Sequence, residues 1–202
     1  MKAVTGGLSA LLGLVAYGVT TVAVATAALP FGWYVEGNVG TSRSSSVSYG
    51  PRTSTSDNGF GWNLIGGYKF IPYFGAEVGY TNYADVYAKF NGTKVAEDSH
   101  YSLDIAGKGI LPVGDSGVEA FAKFGIARAR SHVTIQNSAT VSANNLMLDI
   151  GTHTATSYFF GLGADYAFLP NVLAALQWQR VKGDSTTGIL DLYSIGLNYI
   201  FS

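Results

Sequence analysis

The side chains able to act as nucleophiles, bases or metal ligands are few in this 202-residue chain. There is no cysteine, which removes disulfides, thiol catalysis and cysteine-based zinc sites together. His100, His132 and His153 are far apart in sequence and make no recognisable metal motif. Ser99-His100 and Ser131-His132 each set a hydroxyl beside an imidazole. A hydrolytic triad also needs a third group to orient the base, and neither pair has an acid at a diagnostic spacing. Gly161-Leu162-Gly163 lies inside an alternating segment and opens no helix, so it does not read as a phosphate loop. The expectation is a protein that is not an enzyme, with no catalytic residue, metal site or cofactor.

The remaining chemistry is charge at alternate positions. Glu36, Glu77, Asp104, Glu119 and Asp165 share one parity of their segments with Lys69, Lys108 and Lys123. Charge is otherwise scarce: 12% of residues, about half the roughly 25% of a soluble domain. Twelve Lys+Arg against 13 Asp+Glu give a net charge of −1, which offers no electrostatic footprint for nucleic acid. Gly at 26, Tyr at 13 and Phe at 11 argue against both disorder and a helical bundle.

Two kinds of element must position these charges. The first is an address. Lys2 is the only charge before Glu36, and an apolar stretch from Gly7 to Ala28 closes on Ala25-Thr26-Ala27, a small-x-small cleavage pattern. Residues 1–27 are expected to be a secretory signal peptide and 28–202 the exported domain.

The second is the period-two strand. Trp33, Val35 and Val39 oppose Tyr34, Glu36 and Asn38; Phe60, Trp62, Leu64 and Tyr68 oppose Asn63 and Lys69. The pattern recurs around Val78, Leu103, Phe124, Leu162, Leu176 and Leu197, which makes eight amphipathic segments of about 10 residues, the length that crosses a bilayer when tilted. Aromatic residues gather near the ends of the apolar parity, as an interfacial girdle requires, and the opposite parity is small and polar. Short turns holding Pro72, Pro112 and Pro170 alternate with long connections, about Thr41–Asn58, Tyr83–Ser99, Ser131–Thr156 and Lys182–Gly188. An open sheet edge in hydrocarbon leaves backbone groups costing several kcal/mol each, so the sheet must close. The predicted fold is all-β: an eight-stranded antiparallel up-and-down transmembrane barrel, multi-pass in the cell outer membrane.

Ile71-Pro72-Tyr73-Phe74-Gly75-Ala76-Glu77-Val78-Gly79-Tyr80 resembles the second-to-third-strand segment of the OmpA-like outer-membrane β-barrel family. The spacing of Lys108 before Pro112, of Asp165 before the third turn, and of Tyr193 to Phe201 agrees with that resemblance. It implies a Gram-negative outer-membrane barrel. It also implies a gate-like ion-pair cluster in the lumen, whose positions Glu77, Lys108, Asp165 and Lys123 match and which Glu119 joins by parity. The family's arginine of the seventh strand corresponds to Ala175 here. Ser194, Gly196, Tyr199 and Phe201 resemble the C-terminal signal read by the barrel assembly machinery. The peptidoglycan-binding domain that many members carry is expected to be absent.

Arg43, Arg128, Arg130 and Arg180 fall on the outward parity next to the long connections, where a charge costs only ~0–1 kcal/mol against ~2–4 at the midplane. They read either as loop-edge solubility or as a belt for lipopolysaccharide phosphates. The predicted role is structural or surface-interacting, adhesin-like, with outer-membrane lipid and lipopolysaccharide as partners and a host or surface ligand met by the loops. A small pore for ions or apolar solutes and, third, a lipid A-modifying enzyme are the alternatives. The apolar run Leu146-Met147-Leu148-Asp149-Ile150 could extend the sheet or touch a partner.

Overall fold

The computed structural model describes residues 30–45, 54–56, 58–90, 93–135, 151–183 and 187–201. The proposed signal peptide and the Leu146–Ile150 run lie outside them. The strands are β1 (Gly32–Ser45), β2 (Ser54–Ser56), β3 (Asn58–Ile71), β4 (Phe74–Asn82), β5 (Val86–Phe90), β6 (Thr93–Pro112), β7 (Val118–Ile135), β8 (Gly151–Leu169), β9 (Val172–Lys182) and β10 (Ile189–Ile200). Eight of them, β1, β3, β4 and β6 to β10, close a ring: the sheet runs β6-β4-β3-β1-β10-β9-β8-β7, and β6 pairs back to β7. All pairings are antiparallel.

Alternation decides which face is which. In β1, Tyr34, Glu36 and Asn38 are buried while Trp33 is 67% exposed. Phe60, Leu64, Val78, Leu103, Phe124, Leu162, Ile195 and Leu197 are exposed in the same way. A continuous apolar outer wall of this kind is stable against hydrocarbon and not against water. Aromatic rings gather toward both ends of the wall and touch across strands, as Trp33 does with Tyr68 at 5.1 Å and Phe160 with Trp178 at 5.3 Å between centroids.

One end of the barrel has tight turns: Pro72-Tyr73 between β3 and β4, 113–117 between β6 and β7, and Pro170-Asn171 between β8 and β9. Pro cannot donate to a ladder, and Pro72 and Pro170 fit the first and third turns; Pro112, expected in the second, is instead the last residue of β6, opposite Glu119. In the middle turn Gly114 and Gly117 take φ of 54° and 72°, which a side chain would resist.

At the other end, strand replaces much of what composition marks as loop. β6, β7 and β8 have 20, 18 and 19 residues, about twice a transmembrane crossing. After Tyr83-Ala84-Asp85, β5 continues the course of β4 along the outer half of β6, and β2 pairs with β5. Period two persists here: Ser131 and Val133 are buried, His132 and Thr134 exposed. Beyond the lipid, however, the outward face needs no apolar side chains, so the polarity contrast that reveals a strand disappears while the ladder continues.

The interior is filled in layers. Tyr34, Ala167, Leu173 and Ile200 form an apolar plug toward the turn end. Tyr83, Phe159, Val181, Leu190 and Leu192, with three alanines, form a larger one toward the other end. Charged and amide groups lie between.

Candidate functional site

Five strands contribute to the middle layer: Glu36 from β1, Glu77 from β4, Lys108 from β6, Lys123 from β7 and Asp165 from β8, all buried. Parity brings each side chain inside, and ring closure brings them together. Lys108 Nζ lies 2.9 Å from Asp165 Oδ2, 3.4 Å from Glu77 Oε1 and 3.8 Å from Glu36 Oε2. Lys123 Nζ lies 2.8 Å from Glu77 Oε2 and 4.0 Å from Glu36 Oε1. Two ammonium groups therefore serve three carboxylates. Neutral groups carry the rest. Tyr34 Oη donates to Glu77, Asn38 Nδ2 donates to Glu36 at 2.8 Å, and Lys123 donates to Gln177 at 3.0 Å. Asn63 and Gln179 continue the network to Thr81. Lys108 also stands 4.1 Å above the Phe121 ring. Desolvating isolated charges here would cost several kcal/mol per ion, and this packing supplies the compensation.

Glu119 lies outside this cluster. Its partner is Lys69, at 2.6 Å, closer to the turn end. Glu36, given no role in the resemblance, is at the centre; its inward parity is the one signal in the sequence that marks it. Ala175 sits opposite Asp165 in the β8–β9 register.

The serine–histidine pairs separate. His132 faces outward and its Nδ1 lies 2.9 Å from Thr152 Oγ1. His100 and Ser131 are buried inside, and both address Asp98: Ser131 Oγ donates to Oδ1 at 2.6 Å and His100 Nε2 is 3.3 Å from Oδ2. The acid stands between hydroxyl and imidazole, whereas nucleophile activation places the imidazole between. Among the described residues no His/Asp/Glu group has metal-binding geometry.

The closed barrel and its lipid-facing wall agree with what the comparisons find. The family model for the outer membrane protein beta-barrel domain matches residues 12–201. The chain belongs to that family. It is an OmpA-like, multi-pass protein of the outer membrane. Among curated relatives, outer membrane protein P5 of Haemophilus influenzae is 31% identical over 140 residues, 67% of this chain and 37% of that protein. The chain thus spans well under half the length of the curated relative it matches. Among solved structures, Neisserial surface protein A superposes with a TM-score of 0.58 at 18% identity, covering 84% of this chain and 97% of that one. OprG of Pseudomonas aeruginosa gives 0.59 at 14% identity, covering 84% and 96%. These two matches speak for the fold.

In this OmpA-like barrel the final strand β10 seals against β1 from Tyr34↔Ile200 to Ser45↔Ile189. Ser194 and Gly196 point inward along it, while Tyr199 and Phe201 face outward and meet edge-on at 5.0 Å. Of the four outward arginines, Arg180 makes a bidentate pair with Asp191, 2.7 Å at both contacts, with Arg43 opposite Asp191 on the other side. Arg128 and Arg130 are on β7, both exposed, and Arg130 donates to Tyr101 Oη at 3.0 Å.

Proposed function

We propose that this barrel is a surface-interaction protein whose working part is the sheet carried beyond the membrane, and that its lumen is structural. The observation behind this reading is the length of β6, β7 and β8 combined with the added β2 and β5. Ladder hydrogen bonds make that outer sheet a rigid platform, and loops on a rigid scaffold are where recognition residues concentrate. On this reading residues 1–27 are the export signal, and Ser194, Gly196, Tyr199 and Phe201 are read during assembly. The lumen ion pairs Glu77, Lys108, Asp165, Lys123 and the Lys69–Glu119 pair fix strand register.

Cell binding tests the platform. A variant in which an Asn-Gly turn replaces 86–97 should keep heat-modifiable migration on SDS gels and lose at least about tenfold in adherence to host cells, because the membrane-embedded ladder stays whole. Undiminished adherence would remove the outer sheet from the function. Planar-bilayer recording tests the lumen: two apolar plugs around a paired ionic layer predict no steady single-channel current. A stable cation-selective conductance would favour the pore instead.

A further inference from the structure

The outward faces of β6, β7 and β8 place a distinctive set of side chains just above the apolar wall. Up β7 the outward residues run Ile126, Arg128, Arg130, His132, so the cationic stripe begins where the greasy wall ends. The β8 register sets Thr156, Thr154 and Thr152 beside them in order, a hydroxyl at every step. On the β6 side their partners are Leu103, Tyr101 and Ser99. None of these six neighbours is acidic. Arg128 makes no ion pair or hydrogen bond with a described residue, unlike Arg180, which Asp191 neutralises. Directly below, Leu103, Ile105 and Ile126 line an open groove of about 310 Å³ with Arg128 and Thr156 at its rim. Asp104 also borders this region, but its carboxylate oxygens lie over Gly79, on the lumen side of the sheet.

We propose that this stripe is a binding site for the phosphorylated headgroup of lipopolysaccharide, with an acyl chain in the groove beneath. The inference rests on the outer-membrane placement and is independent of the adhesive reading; it narrows the four-arginine belt to Arg128 and Arg130. Residues two apart on one strand face stand about 7 Å from each other, so two guanidinium groups can reach one phosphate or two neighbouring ones. Guanidinium forks bind phosphate oxygens in pairs, and flanking hydroxyls supply neutral donors for the oxygens left over. The position is the membrane–water boundary on the long-loop side, the level of an outer-leaflet headgroup. A bare solubility function would not require an acid-free strip bordered by hydroxyls and an apolar groove.

Wild type and variants refolded in phosphatidylcholine bilayers can be titrated with lipid A bisphosphate and with the same lipid after dephosphorylation. Wild type should bind the phosphorylated form and melt at higher temperature with it. R128Q/R130Q should weaken that binding about tenfold or more, while R43Q/R180Q stays within about twofold, since only the first pair leaves charge available to a ligand. If the double variant does not assemble, R128Q alone keeps the test open, with a loss of about threefold expected from one exposed guanidinium. Equal losses in both pairs, an unchanged affinity in R128Q, or indifference to the phosphates would overturn the proposal. Cell adherence is read separately, so either result leaves the platform reading to its own test.

Discussion

Lys108→Met is expected to cost the barrel about 3–5 kcal/mol in urea unfolding from phosphatidylcholine bilayers, the range for removing one partner of a buried ion pair. The lysine's nitrogen is within 4 Å of Asp165, Glu77 and Glu36, and all four side chains are buried. Without it Lys123 alone faces three carboxylates, and Lys123 has no contact with Asp165 at ion-pair distance. The informative comparison is Lys108→Met with Asp165→Asn. Removing both ends of the closest pair leaves Glu77 and Glu36 to Lys123 and leaves no stranded charge at β8. The double variant should therefore be more stable than Lys108→Met alone, although it carries one more substitution. A double variant that loses the sum of the two single effects would show that Lys108 acts through packing against Phe121 and not through charge.

The second large effect is expected at the seam of first and last strands. Gly196→Ala should abolish most of the heat-modifiable, folded form, and Gly40→Ala should behave alike. A Cβ on Gly196 would stand 2.1 Å from Gly37 O, and one on Gly40 would stand 1.9 Å from Tyr193 O. Both obstacles are backbone, so no side-chain rotation relieves them, and β1 and β10 would have to part where the ring closes. Overpacking in a yielding core costs about 1–3 kcal/mol, and an obstacle of backbone places these variants at or beyond the top of that range. This gives Gly196 a steric reason to be glycine beyond any reading by assembly machinery. The two roles separate in vitro: refolding into lipid without added proteins tests the steric one, and near-normal yields of Gly196→Ala there would refute it.

Much of this was legible in period-two alternation. Within the membrane, lipid demands apolar residues outside while the narrow interior accepts polar ones, so Trp33 against Tyr34 or Leu64 against Asn63 suffices to orient a strand. The same logic marked Glu77, Lys108, Lys123 and Asp165 as inward. It could not pair them, because Lys69 meets Glu119 and Lys108 meets Asp165 across the lumen, through relations set by barrel tilt and stagger rather than by position along one chain segment. Nor could it show that Phe121, Phe159 and Leu192 fill the interior, because large apolar residues on the inward parity merely blur the alternation. Above the lipid the contrast fades altogether, and the composition of β5, the start of β6, the end of β7 and the start of β8 is that of loop although they hydrogen-bond as strands. The serine, histidine and acid that converge at Asp98 were equally hidden: Asp98 and His100 come from β6 and Ser131 from β7, joined only by the register.

The uneven lengths of the strands have a further consequence. β6, with 20 residues at ~3.3 Å each, runs roughly 66 Å, whereas β9 and β10 have 11 and 12 residues. Among the described residues the outer end of the sheet is therefore lopsided, a wall on one flank and a low sill on the other. On the proposed surface-interaction reading, a molecule anchored on an opposing surface meets the wall only over part of the compass, so capture depends on how fast the barrel spins about the bilayer normal. On that reading, immobilising it in a crowded patch of membrane would make capture directional.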